Sequence, residues 1–202
     1  RRLGIDCIDL YQVHWPDPLH SLDDAFGEMV KLRDEGKVRH LGACNLSVEQ
    51  LETAREAGFI VSCQPQYNLL DRSIEDGILP WCRENGVGVI LYSPMGRGLR
   101  TGKISATPES PPSDHRSKLP DFQPGRREAI LAALAEIEPI CLERGVTLGN
   151  LAVAWVLSQP GVTAALVGAR NARQAKENAV ALDVCLDERE EQAIRRVFEA
   201  LD

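Results

Sequence analysis

His14-Trp15, Cys44-Asn45, Gln64, Tyr92-Ser93 and Gly168-Ala169-Arg170 each stand at or just after a short run of aliphatic and β-branched residues. An imidazole can polarise a carbonyl, a pair of carboxamides can fix a ligand amide, an aromatic ring can stack on a heterocycle, and a guanidinium can grip a phosphate. Together these groups outline a site for a nucleotide and a carbonyl compound. Singly, each has a plainer reading. His14 is as good a hydrogen-bonded structural residue, Asn45 a turn former before Leu46-Ser47, Gln64 a partner for loop backbone ahead of Pro65, and Tyr92 a core ring. Arg170 alone reads equally well as a solvated charge. Gly96-Arg97-Gly98 serves as well for a tight turn as for a phosphate loop, and neither GxGxxG after a strand nor GxxxxGK[ST] occurs.

The elements that must position these groups are legible in the apolar spacing. Ile5 to Val13 reads as a strand stopped by His14-Trp15-Pro16-Asp17-Pro18. Ser21 caps a helix with Leu22, Ala25, Phe26, Met29 and Leu32 on one face, and Gly36 ends it. The alternation then repeats, with a strand over 38–43, a capping box Ser47/Gln50 opening a helix to about residue 57, and a strand over 60–64. A helix over 74–85 leads to a strand over 87–92, expected to be buried on both faces. The segment 96–125 has no apolar period and is expected to be a long excursion, either a functional lid or disordered. Helical spacing resumes over 126–144, where Pro139 should kink or break it, and Thr147 caps a helix to about residue 158. A strand over 163–167, a helix capped by Asn171, and a terminal helix boxed by Asp187 and Glu190 complete the chain.

Strands alternating with helices imply a parallel sheet covered by helices, either doubly wound or a barrel. At 202 residues the chain is short for an eight-unit barrel of ~250 residues, so length by itself favours an open five-stranded sheet. Net charge is −7 with 44% hydrophobic and 26% charged residues, an ordinary globular balance that argues against non-specific nucleic-acid binding. The longest apolar run, Leu151 to Leu157, is far below the ~20 residues of a membrane span. Six scattered cysteines give neither a zinc-ligand spacing nor a dense disulfide framework, so no metal is expected and a reducing cytoplasm is the default. The chain opens on Arg1-Arg2-Leu3 with no initiator Met and no secretory leader, and is expected to be a piece of a longer one.

The motifs in their order resemble the aldo-keto reductases, NAD(P)H-dependent carbonyl reductases built on a (β/α)8 TIM barrel. Leu3 to Pro16 resembles the family's fourth strand, Gly36 to Asn45 its fifth, Gln64-Pro65-Gln66-Tyr67-Asn68 its sixth, and Tyr92 to Gly98 its seventh. Gly168 to Asn178 resembles its adenosine-phosphate segment, so residues 1–202 read as one domain with a substrate and cofactor loop over 99–125. The resemblance implies that His14 orients the substrate carbonyl and Trp15 lines the substrate pocket. It implies that Asn45 and Gln64 hold the nicotinamide carboxamide, that Tyr92 stacks on the ring, and that Ser93, Met95, Arg97 and Gly98 follow the pyrophosphate. Gly168 belongs to the adenosine segment, where Arg170 and Gln174 would meet the 2′-phosphate of NADP and Glu177 and Asn178 the adenine. Arg170 makes NADPH the expected cofactor over NAD. Cys44 stands where the family has a serine, which leaves a weaker donor.

The same resemblance implies an absence. The family's catalytic tyrosine, lysine and aspartate lie on the first three strand-helix units, and this chain begins as if cut before the fourth. The expected fold is therefore an incomplete barrel with two open edges and an uncovered apolar inner face, prone to self-association. The expected activity is NADPH-dependent reduction of an aldehyde or ketone by the parent, with this portion inactive alone. The alternative is a non-catalytic NADPH-binding regulatory or redox-sensing subunit.

Overall fold

The computed structural model describes residues 3–96, 98 and 115–201. The chain folds as two compact units, one of residues 1–66, 73–92 and 160–164, the other of residues 67–72, 93–159 and 165–202.

The first unit begins with β1 (Ile8–Val13), α1 (Leu22–Asp34), β2 (Val38–Cys44), α2 (Val48–Ala57), β3 (Ser62–Gln64), α3 (Ile78–Asn85) and β4 (Gly88–Tyr92). Neighbouring strands pair in parallel, and β5 (Val162–Leu166) lies beside β4, so the sheet order is β1-β2-β3-β4-β5. A doubly wound sheet reverses its strand order at a switch point. This sheet has no reversal, so it winds as a barrel wall does, against the expectation from length. Ser21 Oγ accepts the Asp24 N–H at 3.0 Å to start α1, and Ser47 and Gln50 exchange bonds of 3.2 and 3.0 Å to start α2.

Strand alternation divides the sheet into two faces. Leu41, Ala43, Cys63, Val89 and Leu91 point to one and are buried. On the other, register aligns Gln12, Gly42, Ser62 and Gly88 in one row, with Cys44 beside Gln64 in the next. The expected apolar inner face is thus corrected: its central row is small and polar, with Leu10, Val38 and Ile90 as flanking apolar residues. Strand β4 is correspondingly buried in alternation and not on both faces. The helix expected over 74–85 begins only at Ile78, because Gly77 (φ −137°, ψ −70°) is not helical and residues 73–77 turn instead.

The second unit holds α4 (Arg126–Arg144), α5 (Leu148–Ser158), α6 (Ala172–Ala179) and α7 (Glu188–Glu199). Pro139 does not break α4, which runs through it. The residue is on the exposed face, where water can satisfy the carbonyl one turn back that loses its N–H partner. Helix α5 is buried from Gly149 to Val156, as its all-round apolar sequence demands. Trp155, with no exposed surface, packs its ring 6.0 Å from that of Tyr67, and its indole N–H donates to the Glu191 carbonyl at 3.3 Å. Short 3₁₀ turns occupy His115–Lys118 and Pro120–Phe122; residues 99–114 of the expected loop lie outside the described residues. Among the described residues no single helix is long and apolar enough to cross a membrane.

Candidate functional site

On the first unit, the expected residues gather at the carboxyl ends of β1, β2, β3 and β4. His14 follows β1 with an exposed side chain, its ring 6.0 Å from the ring of Trp15, which is 58% exposed. The loop behind them is tied by Asp17, whose carboxylate accepts the Leu19 N–H at 2.8 Å and meets His20 Nδ1 at 2.8 Å. The Leu19 amide first, and His20 second, hold the Asp17 carboxyl below its ordinary range.

Asn45 is the hub. Its backbone takes the left-handed conformation (φ 57°), which asparagine tolerates better than most residues. Its Nδ2 donates to the His14 carbonyl at 2.9 Å, and its Oδ1 accepts the Tyr92 hydroxyl at 2.8 Å. Its backbone N–H donates to the Gln64 carbonyl at 3.3 Å. The turn reading and the site reading of Asn45 are therefore compatible: one residue fixes the ends of three strands. With its hydroxyl pinned, Tyr92 has a fixed ring on a half-buried side chain. Cys44 is buried at 4% exposure, and burial pushes its thiol above the ordinary value, so it stands as a neutral S–H beside Gln64.

Gln64 is held by residues that the sequence reading passed over. Its Nε2 donates to Gln12 Oε1 at 3.1 Å, and Gln12 Nε2 donates to Ser62 Oγ at 3.1 Å. The signal was present in the sequence as two polar residues interrupting apolar strands, but strand spacing alone does not show that they meet.

On the second unit, Ser93 (φ 59°), Gly96 (φ 51°) and Gly98 (φ 96°) turn the chain tightly after β4. Ser93, Pro94, Met95 and Gly98 line a cleft of about 400 Å³ together with Leu166, Val167 and Gly168. Arg97 lies outside the described residues. A Cβ at Gly168 would meet nothing within 4 Å, so the backbone there is open to a ligand. The Arg170 N–H donates to Gln174 Oε1 at 2.7 Å, and Asn178 Nδ2 donates to the Gly168 carbonyl at 3.2 Å. Gln174 and Asn178 thus shape the loop before α6, while the side chains of Arg170 and Glu177 are exposed. Asn150 Nδ2 donates to the Glu177 carbonyl at 2.6 Å and anchors α6 to α5.

The arrangement suits a nicotinamide dinucleotide on each unit taken by itself. Gln64 offers a carbonyl oxygen, Asn45 Nδ2 has a second N–H beyond the one given to His14, and the Tyr92 ring is held in place through its hydroxyl. The glycine-lined cleft has room for a diphosphate. The sequence model of the aldo/keto reductase family matches residues 1–199. The chain is 40% identical over 175 residues to Aldo-keto reductase YhdN of Bacillus subtilis, covering 86% of this chain and 53% of that protein. It is 34% identical over 205 residues to the NADH-specific methylglyoxal reductase of Escherichia coli, covering 100% of this chain and 62% of the relative. The solved glycerol dehydrogenase AKR11B4 from Gluconobacter oxydans superposes with a TM-score of 0.93 at 37% identity, over 98% of this chain and 61% of that one. The chain thus spans a little over half the length of the relatives it matches.

Proposed function

We propose, from the premise that this chain belongs to the aldo/keto reductase family, that it is the NADP-binding and carbonyl-orienting part of a reductase acting on an aldehyde or ketone. The observation that carries the reading is the Asn45 hub, which draws His14, Gln64 and Tyr92 together at the strand ends. In this reading the barrel is incomplete, and the first three strand-helix units, with the acid and its partners, belong to the rest of the parent protein. NADPH when bound supplies the hydride. Gln64 and Asn45 hold its carboxamide, Tyr92 packs on its ring, and Ser93, Met95, Arg97, Gly98 and Gly168 follow the diphosphate. Arg170 and Gln174 receive the 2′-phosphate, with Glu177 and Asn178 at the adenine. His14 donates a hydrogen bond to the substrate carbonyl oxygen and so fixes which face of the carbonyl is presented, with Trp15 packed against the substrate.

None of the three tyrosines can replace the missing acid. Tyr67 is fully buried, the Tyr92 hydroxyl is spent on Asn45, and Tyr11 alternates away from the Gln12 face. In this reading the chain alone binds cofactor without turning over. That same observation favours the second reading, an NADPH-binding subunit with a regulatory role.

Titration of the purified chain with NADPH, followed by tryptophan quenching, tests the proposal. Saturable binding is expected, weakened roughly tenfold or more by Arg170→Ala because a charged hydrogen bond is worth about 1.5–3 kcal/mol. NADH binding should not respond to that substitution. Equal affinity for both cofactors would remove Arg170 as the discriminating residue. The absence of any binding by the folded chain would sink the reading. Aldehyde-dependent consumption of NADPH by this chain alone would show that the acid is not missing.

A further inference from the structure

Gln12 and Ser62 stand on β1 and β3, separated by the whole width of β2, yet their side chains are 3.1 Å apart. Strands in a sheet lie about 4.8 Å apart, so a contact across two intervals must pass over the middle strand. It passes over Gly42, which register places between them. A Cβ on Gly42 would lie 2.3 Å from Ser62 Oγ and 3.0 Å from Gln12 Cγ, so only glycine leaves the passage open. On the far side, Gln12 Oε1 receives the Gln64 Nε2 donor at 3.1 Å. Three polar side chains from two strands thus form one directed chain: Gln64 donates to Gln12, and Gln12 donates to Ser62. A carboxamide has one donor end and one acceptor end, so committing the nitrogen of Gln64 to Gln12 fixes which end it offers outward. Gln64 Oε1 has no protein partner among the described residues.

We propose that Gln12 is a positioning residue that holds the Gln64 carboxamide in the orientation that accepts a hydrogen bond from a ligand amide. The inference rests on the reading of Gln64 as a nicotinamide contact and adds why that contact has a direction. Without Gln12, the Gln64 amide rotates freely and presents its nitrogen as often as its oxygen to a ligand N–H. A buried donor facing a donor costs more than the bond it replaces. Ser62, buried at 4% exposure, is the anchor that keeps Gln12 from turning over.

The test compares the chain with Gln12→Leu, Gln12→Glu and Ser62→Ala, titrated with NADP⁺ and with its 3-acetylpyridine analogue, in which a methyl replaces the carboxamide NH₂. Gln12→Leu is expected to weaken NADP⁺ roughly tenfold, the size of one hydrogen bond, and to leave the analogue unchanged. Gln12→Glu keeps an acceptor for both Gln64 Nε2 and the Ser62 hydroxyl, so it is expected to retain NADP⁺ affinity within about twofold. Ser62→Ala is expected to fall between. A second readout needs no cofactor: the Gln64 Nε2 proton donated to Gln12 should resonate downfield of a solvent-exposed glutamine amide in the unsubstituted chain and in Gln12→Glu, and move back to the solvent-exposed position in Gln12→Leu. Unchanged NADP⁺ affinity in Gln12→Leu, or equal loss for NADP⁺ and the analogue, overturns the inference alone. Failure of the unsubstituted chain to bind NADP⁺ overturns the functional reading together with the inference.

Discussion

At Gly42 the missing side chain is a packing requirement rather than a conformational one. The residue sits in β2 with ordinary strand geometry, and what it needs is the space that Gln12 and Ser62 use. Gly42→Ala is therefore expected to cost about 1–3 kcal/mol, as overpacking does, and to lower the urea midpoint while breaking the Gln12–Ser62 bond. Gly58 makes the same argument at α2: its φ of 175° suits any residue, but a Cβ would lie 2.4 Å from Val30 Cγ2. Asn45 is the reverse case. Its left-handed backbone and both ends of its amide are in use at once, so Asn45→Ala loses two bonds and keeps the strain, while Asn45→Gly loses only the bonds. Alanine is expected to be the less stable of the two variants by thermal melting, by about 1 kcal/mol, since a Cβ in the left-handed region costs about 1–2 kcal/mol that glycine avoids.

Elements are held by caps and by a few buried anchors. Helices α4 and α7 are clipped where Arg144 donates to Glu190 at 2.6 and 2.5 Å, and Glu190 also closes the capping box with Asp187. The Arg144 guanidinium, followed by the Asp187 N–H, holds the Glu190 carboxyl below its ordinary range. A carboxyl lowered in the folded state adds stability that is present above the unfolded value of about 4.3 and is lost as pH falls through the folded value. The stability gap between the unsubstituted chain and Glu190→Gln is thus expected to be constant above about pH 5 and to shrink in acid, as urea midpoints at several pH values would show. A gap that persists at the lowest pH would mean that Glu190 acts by shape alone. In α5, Trp155 is enclosed, donates to the Glu191 carbonyl, and carries the Arg195 guanidinium 5.3 Å above its ring. Trp155→Ala should cost about 3–5 kcal/mol and lose the α5–α7 contact.

At the scale of the molecule, β1 and β5 are the outer strands of the sheet among the described residues. Tyr11 on β1 is 44% exposed and Leu166 on β5 is 47% exposed, and unpaired strand edges with apolar neighbours attract other strands. Concentration-dependent self-association of the chain is expected, read as a rising mass by light scattering after size exclusion. Tyr11→Lys should reduce it, since an edge lysine opposes strand addition. A strictly monomeric chain at high concentration would remove the argument. The Asp9–Arg39 ion pair, 2.6 Å between β1 and β2, is too exposed to protect that edge.

The sequence by itself determined the element order, the caps at Ser21, Ser47, Thr147, Asn171 and Asp187, the strand-end placement of His14, Asn45, Gln64 and Tyr92, and the family. These follow from spacing along the chain, because capping and strand alternation are local. Tertiary structure decided the rest. Strand order without a reversal chose barrel winding over the open sheet that length favoured, since length says nothing of which strands pair. The continuity of α4 through Pro139 depended on that residue facing water, which periodicity alone left unread. The Gln12–Ser62–Gln64 chain lies across three strands and exists only in one register, where a glycine on the middle strand gives way. Contacts of that kind are made by residues up to 52 positions apart, and no local pattern encodes them.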